Sequence, residues 1–225
     1  MTTYALVLQS DYDNVSVALC KDGSTLETST DTKHSASKNL VSQMNTLLKN
    51  HKIDWTDLSF IGLNQGPAPF TTLRVIITTA NGLHFAQKLP LVGVDGIKTF
   101  LEEQQHETSV TVVLLNAFAK DLYFGIKENN KIISTGWENY KVLFESLYKD
   151  YPNTPITFIG NGIALFKEEL KEVFGDAAQI PDPLPNYCSI ESIVNQSYVQ
   201  WKQKKNVHNT LLPLYLKTLQ YKTSM

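Results

Sequence analysis

The side chains that most often do chemistry are sparse in this chain and poorly spaced for it. Cys20 and Cys188 lie far apart and form no CxxC pair. That disfavours a disulfide framework or a cysteine metal site and fits a reducing compartment. The five histidines, His34, His51, His84, His106 and His208, show no ligand spacing, so each reads as a surface or part-buried ring. No GxSxG marks a nucleophilic serine, and neither cysteine has a histidine neighbour. Gly66-Pro67 lacks the GK[ST] that a phosphate loop needs. One cation is singular. Arg74 is the sole arginine beside 19 lysines, and a planar guanidinium makes bidentate contacts that an ammonium cannot. Three roles compete for it: an ion pair or loop-carbonyl contact within the molecule, a clamp on a partner carboxylate, and a phosphate contact.

The bulk properties narrow the classes further. The net charge of −2 over 225 residues argues against nucleic-acid binding by the whole surface. Lys202, Lys204 and Lys205, after Trp201, read as a solvated helix end rather than an RNA patch. An apolar share of 42% is enough to build a core, so global disorder is excluded. No stretch approaches about 18 uncharged apolar residues, so no membrane-spanning helix is expected. Met1-Thr2-Thr3-Tyr4-Ala5 has no basic run before its short apolar segment. A signal peptide is therefore not expected, and a cytoplasmic location is.

These residues must be positioned by an alternating pattern of elements. Residues 4–8, 15–20 and 25–30 read as strands, with Asp22-Gly23 as a hairpin turn. A helix is predicted over 35–50, with Ala36, Leu40, Val41, Met44, Leu47 and Leu48 at a spacing near 3.6. Then follow a buried strand at 60–63, a loop over 64–69, a long helix over 70–87, a strand at 91–94 and a helix over 96–105. The pattern restarts with strands at 110–115, 122–128 and 132–135, a helix over 139–150, a strand at 156–159 and a helix over 164–174. Residues 176–187 hold Pro181, Pro183 and Pro185 and read as extended. Ser189 can cap a helix to about 203, and an extended tail covers 211–218. Strands alternating with helices imply a layered α/β fold. The restart implies two lobes, 1–107 and a shortened 108–225, with the boundary near 106–109.

The long helix carries the most information. Leu73, Ile76, Ile77, Ala80 and Leu83 form one apolar stripe, and no charge occurs between Arg74 and Lys88. A helix so poor in charge is buried on most sides. Either its own lobe covers it, or a second face meets another subunit, where small threonines allow close approach.

Three features together carry a family resemblance: the β-β-β-α-β-α order, the segment Gly66-Pro67-Ala68-Pro69-Phe70-Thr71-Thr72-Leu73-Arg74, and the ending Pro213-Leu214-Tyr215-Leu216-Lys217. The chain resembles the TsaB (YeaZ) family, accessory subunits of bacterial tRNA threonylcarbamoyladenosine synthesis. Typical members show GPGSFTGLR and PxYLR at these two places. Six of the nine residues of the first segment match, and Lys217 replaces the arginine of the second. Ala68, Pro69 and Thr72 replace two glycines and a serine, and Pro69 stiffens the loop.

The resemblance implies an actin-like ATPase fold of two ribonuclease-H-like lobes, with mixed β-sheets flanked by helices. It implies no catalysis by the chain alone and no cofactor; a nucleotide at the partner interface is left open. It implies a homodimer when alone, a TsaD-like catalytic paralogue as partner, a TsaE-like small ATPase beside them, and tRNA reached only through the complex. The interface would lie on the two long helices. Leu40, Met44, Leu47, Phe70, Leu73, Ile77 and Ala80 are its expected apolar contacts, and Arg74 is its polar anchor. The competing reading is an actin-like kinase or ATPase acting on a small molecule. Such enzymes place a carboxylate after the first strand of each lobe, where this chain has Gln9 and Asn116. Asp11, Asp13 and Asp121 are assigned to exposed loops. The paralogue's HxxxH, aligned on Val92-Gly93-Val94, falls on Gly96 and Phe100, neither of which can ligate a metal.

Overall fold

Alternating side chains build the first sheet around one strand buried on both faces. A computed structural model describes residues 2–104 and 107–217. His106 and Thr218, and the end of the helix predicted to 105, lie outside the described residues. Strands β1 (Tyr4–Ser10), β2 (Asn14–Lys21) and β3 (Ser24–Thr32) form an antiparallel meander in which Leu6 faces Leu19. Asp22 and Gly23 both adopt positive φ, 51° and 83°, as the tight turn between β2 and β3 requires. Helix α1 (Lys33–Asn50) follows, then β4 (Leu58–Asn64), α2 (Phe70–Gln87), β5 (Leu91–Val94) and α3 (Gly96–Glu103). β4 pairs in parallel with β1, and β5 in parallel with β4.

The second half repeats this order. Strands β6 (Val110–Asn116), β7 (Asp121–Glu128) and β8 (Lys131–Asn139) form a meander. Helix α4 (Tyr140–Asp150) is capped by the Asn139 carboxamide, which accepts from the Lys141 amide. β9 (Ile156–Ile159), α5 (Lys167–Phe174) and the two-residue β10 (Ala178–Gln179) complete the sheet. Its order is β10-β9-β6-β7-β8, and in the first sheet the same sequence of pairings reads β5-β4-β1-β2-β3. The repeated half is thus an α/β unit of the same topology. Its core is aromatic, with Tyr140 and Phe166 stacked at 4.2 Å and Phe158 against Phe174 at 5.1 Å.

The chain then returns to the first sheet. Helix α6 (Ile190–Lys202) starts at Ser189, whose hydroxyl accepts from the Ser192 amide, and β11 (Val207–His208) adds antiparallel to β5. Among the described residues two compact units result: one from residues 2–99 with Cys188–Leu214, the other from residues 100–104, 107–187 and 215–217. These units do not follow a single division at 107/108. The reason is packing: Trp201 of α6 stacks on Phe60 of β4 at 5.1 Å, beside Ala5 and Val92. With α1 and α2 on the other face, β1, β4 and β5 are covered twice, which explains their continuous apolar runs.

Gly62 allows α6 to come this close. A Cβ there would lie 2.5 Å from the Ser197 hydroxyl oxygen and 2.7 Å from its Cβ. Ser197 is fully buried, and its hydroxyl has no hydrogen-bond partner among the described residues. Removing that hydroxyl is expected to raise the unfolding free energy by about 1 kcal/mol in Ser197→Ala, measured by urea titration. Gly62→Val should lower it by several times that amount through overpacking. A destabilised Ser197→Ala protein would contradict this account of the contact.

Candidate functional site

The expected interface residues divide sharply once placed. Leu40, Met44 and Leu47 of α1 and Leu73, Ile77 and Ala80 of α2 all lie in the core of the first unit, none more than 4% exposed. They hold the two helices on the sheet. Each of the five larger side chains would forfeit about 1.5–3 kcal/mol if turned to solvent, so the widest apolar stripe faces the sheet. Phe70 and Arg74 are different. Phe70 is half exposed, and the Arg74 guanidinium lies 3.5 Å from the centre of its ring.

The outer face of this helix pair is small, hydroxylated and open. Ser37 of α1 and Phe70, Thr71, Arg74, Val75, Thr78 and Thr79 of α2 line a groove of about 490 Å³. Val41, one turn beyond Ser37, is exposed, although the sequence groups it with the inward positions. A Cβ added at Gly82 would meet nothing within 4 Å. Near the end of α2, Phe85 is 77% exposed, with the Lys88 ammonium 4.9 Å from its ring. Sequence reasoning passes over Ser37, Val75 and Thr78 as contacts because they lie off the main apolar stripe, and it groups Val41 with the inward positions. The usable signal is the spacing of small residues opposite the stripe.

The loop before α2 fixes where that face begins. Gly66 sits at φ +113°, its amide donating to Asn64 Oδ1 and its carbonyl accepting from the Gly96 amide. The Pro69 carbonyl accepts from the Leu73 amide and the Thr72 hydroxyl. The other signature segment lies alongside. The Leu214 amide donates to the Gln65 carbonyl at 2.9 Å, and Asn81 exchanges two hydrogen bonds with the Leu211 backbone. Within the second unit, the Lys217 ammonium pairs with Asp121 at 2.8 Å and donates to the Ala117 carbonyl. Asp121 therefore stands at the start of β7 in a part-buried ion pair, not in an exposed loop.

The positions where the fold could hold phosphate chemistry carry neutral groups with structural partners. Gln9 is buried, and its Nε2 donates to the Cys188 carbonyl at 2.7 Å. Asn116 Oδ1 accepts from the Phe118 amide, and its own amide donates to Asn161 Oδ1. At Gly96 a Cβ would fall 2.6 Å from Asn64 Oδ1, and Phe100 is buried. Among the described histidines, His51 pairs with Glu27 at 2.8 Å and His84 bonds the Leu89 carbonyl. No group of three or more potential metal ligands occurs among the described residues. No helix among them is long and apolar enough to cross a membrane.

Comparison with known proteins agrees with this architecture. Residues 29–223 match the TsaD family, tRNA N6-adenosine threonylcarbamoyltransferase. The tRNA threonylcarbamoyladenosine biosynthesis protein TsaB of Buchnera aphidicola subsp. Schizaphis graminum is 25% identical over 60% of this chain. That of Buchnera aphidicola subsp. Acyrthosiphon pisum is 23% identical over 58%. The chain belongs to this family. It spans 66% and 60% of the length of these two relatives. A solved structure described as similar to peptidase YEAZ, from Pseudomonas aeruginosa, superposes with a TM-score of 0.75 at 19% identity. The superposition covers 96% of this chain and all of that one, and shows that the two share a fold.

The cysteines give a direct test of the core. Burial, and secondarily the nearby Glu191 carboxylate, push the Cys20 thiol up to about 12. The reactive thiolate is then absent throughout neutral and mildly alkaline pH. Cys20 in the folded protein should resist iodoacetamide at pH 8 and react once urea unfolds it. Rapid native-state labelling, read by peptide mass spectrometry, would contradict the burial of β2.

Proposed function

We propose that this TsaB-family chain is a non-catalytic partner in tRNA threonylcarbamoyladenosine biosynthesis. It binds a TsaD-like subunit through the outer face of α1 and α2 and holds it in an active conformation. The observation that carries this reading is the Phe70–Arg74 pair at the head of a hydroxyl-lined groove, on helices whose apolar stripe is already committed to the core. Small side chains there permit close helix approach, and the aromatic–guanidinium pair is the kind of anchor that dominates interface energies. The relatives' names supply the pathway. The structural use of the Gln9 and Asn116 amides favours a partner over a small-molecule kinase or ATPase. Activation is then a coupling free energy, with binding to this face favouring one state of the TsaD-like subunit. A TsaE-like ATPase and tRNA join through that complex, and the chain acts in the cytoplasm.

Charges placed on the outer face test this. Val41→Asp with Thr78→Glu alters exposed positions only, so far-UV circular dichroism should be unchanged. Affinity for the TsaD-like subunit of the same organism, measured by calorimetry, should fall about 30-fold or more, the equivalent of roughly 2 kcal/mol. Unchanged affinity in a folded variant would overturn the interface.

A further inference from the structure

The second unit is shortened where it repeats the first, and the shortening leaves a hollow. Helix α5 takes the place of α2 in the repeated order, yet it runs 8 residues against 18. The difference is about 15 Å of helix. Beside α5, a hollow of about 530 Å³ opens within residues 163–184. Its apolar lining extends the unit's own core: Ile163 is buried in that core, and Ala178, Ile180 and Leu184 pack against it. The segment after β10 forms one wall and is tied at both ends. Ala178 and Gln179 pair with Ile156 and Thr157 of β9. The Gly160 and Asn161 amides donate to the Pro185 and Asn186 carbonyls at 2.8 and 3.1 Å. Pro181 and Pro183 restrict the backbone between these ties. A ligand meets a wall that is already ordered, so little affinity is lost to ordering it.

The charges around the hollow are unspent. Lys167 and Lys171, one turn apart on α5, both line it, and none of that helix's three glutamates does. Neither ammonium makes a hydrogen bond or ion pair among the described residues. Asp182 lines the hollow from the segment after β10, and its carboxylate is likewise unpaired among them. No aromatic, hydroxyl or carboxamide side chain lines it. Nothing there would stack on a base or bond the hydroxyls of a sugar. We propose that the hollow binds a small organic monoanion with an aliphatic chain, of the medium-chain carboxylate class. Its head group lies between Lys167 and Lys171, and its chain lies on Ile163, Ile180 and Leu184. One anionic head satisfies both lysines through charge-assisted hydrogen bonds. Asp182 opposes a second negative charge, which disfavours a dianionic phosphate ester. Removing the aliphatic chain from water supplies the remaining affinity. The site lies wholly within the second unit and requires nothing of the contact assigned to α1 and α2.

Head group and chain can be tested apart. Sodium octanoate, added to the isotopically labelled full chain and followed by amide chemical shifts, should move Ala164, Lys167, Lys171, Ala178 and Ile180. The shifts should saturate with a Kd of about 1 mM or tighter. Acetate has the same head and no chain; octylammonium has the same chain and the opposite head. Neither should saturate these shifts over the same concentrations. Lys167→Gln with Lys171→Gln should raise the octanoate Kd about fivefold or more. Asp182→Asn should lower it about twofold, the opposite sign. All three positions are exposed, so the rest of the spectrum should be unchanged. Octanoate that leaves these amides unmoved, or that moves amides across both units alike, would overturn the site. Acetate or octylammonium binding as tightly as octanoate, or an octanoate Kd that ignores all three substitutions, would overturn the assigned ligand class.

Discussion

The orientation of two apolar stripes governs what the rest of the first unit can do. Ala36, Leu40, Met44 and Leu47 of α1, with Leu73, Ile76, Ile77 and Ala80 of α2, close the core over one face of the sheet. At about 1.5–3 kcal/mol for each large side chain buried, no transient partner could turn these residues outward. What remains for recognition is set by that choice. The exposed side of the pair is hydroxyls, one aromatic–guanidinium pair and a set of cations. The other face of the sheet is occupied by α6, whose close approach depends on Gly62. The helix pair is therefore the broad face of this unit left open to a partner.

The alternation of strands and helices is legible in the sequence because periods of 2 and 3.6 separate cleanly, as the positions of α1, β4, α2 and β5 show. The duplication is legible as well, since both sheets repeat one pairing order although the halves share little sequence. The direction of the α2 stripe is not. Thr71, Thr78 and Gly82 make the outer side as uncharged as the inner one, so composition alone cannot say which side meets water. The destination of α6 is hidden for another reason: Trp201 stacks on Phe60, and nothing local signals a contact so distant in the chain. β11 is only two residues long, too short to leave a pattern.

The family-like segments acquire a structural meaning when placed. The nonapeptide is not a phosphate loop. It turns the chain from β4 into α2, and Pro69 holds the first turn through its carbonyl. The tail lies beside it, tied by Leu214 to Gln65 and by Leu211 to Asn81. Both segments thus fix the start of α2, and with it Phe70 and Arg74. Lys217 continues the tail into an ion pair with Asp121 and a place 5.4 Å from the Trp137 ring, where the family resemblance leads one to expect an arginine. The ammonium still meets a carboxylate and a carbonyl at that position.

The central claim is that α1 and α2 present the contact surface, and amide cross-saturation tests it most directly. Labelled chain would be mixed with its unlabelled TsaD-like subunit, and saturation transfer read residue by residue. The account predicts transfer at Ser37, Val41, Thr71, Arg74 and Thr78, with the second unit silent. Transfer confined to β6–β10 and the helices packed on them, with α1 and α2 untouched, would contradict it.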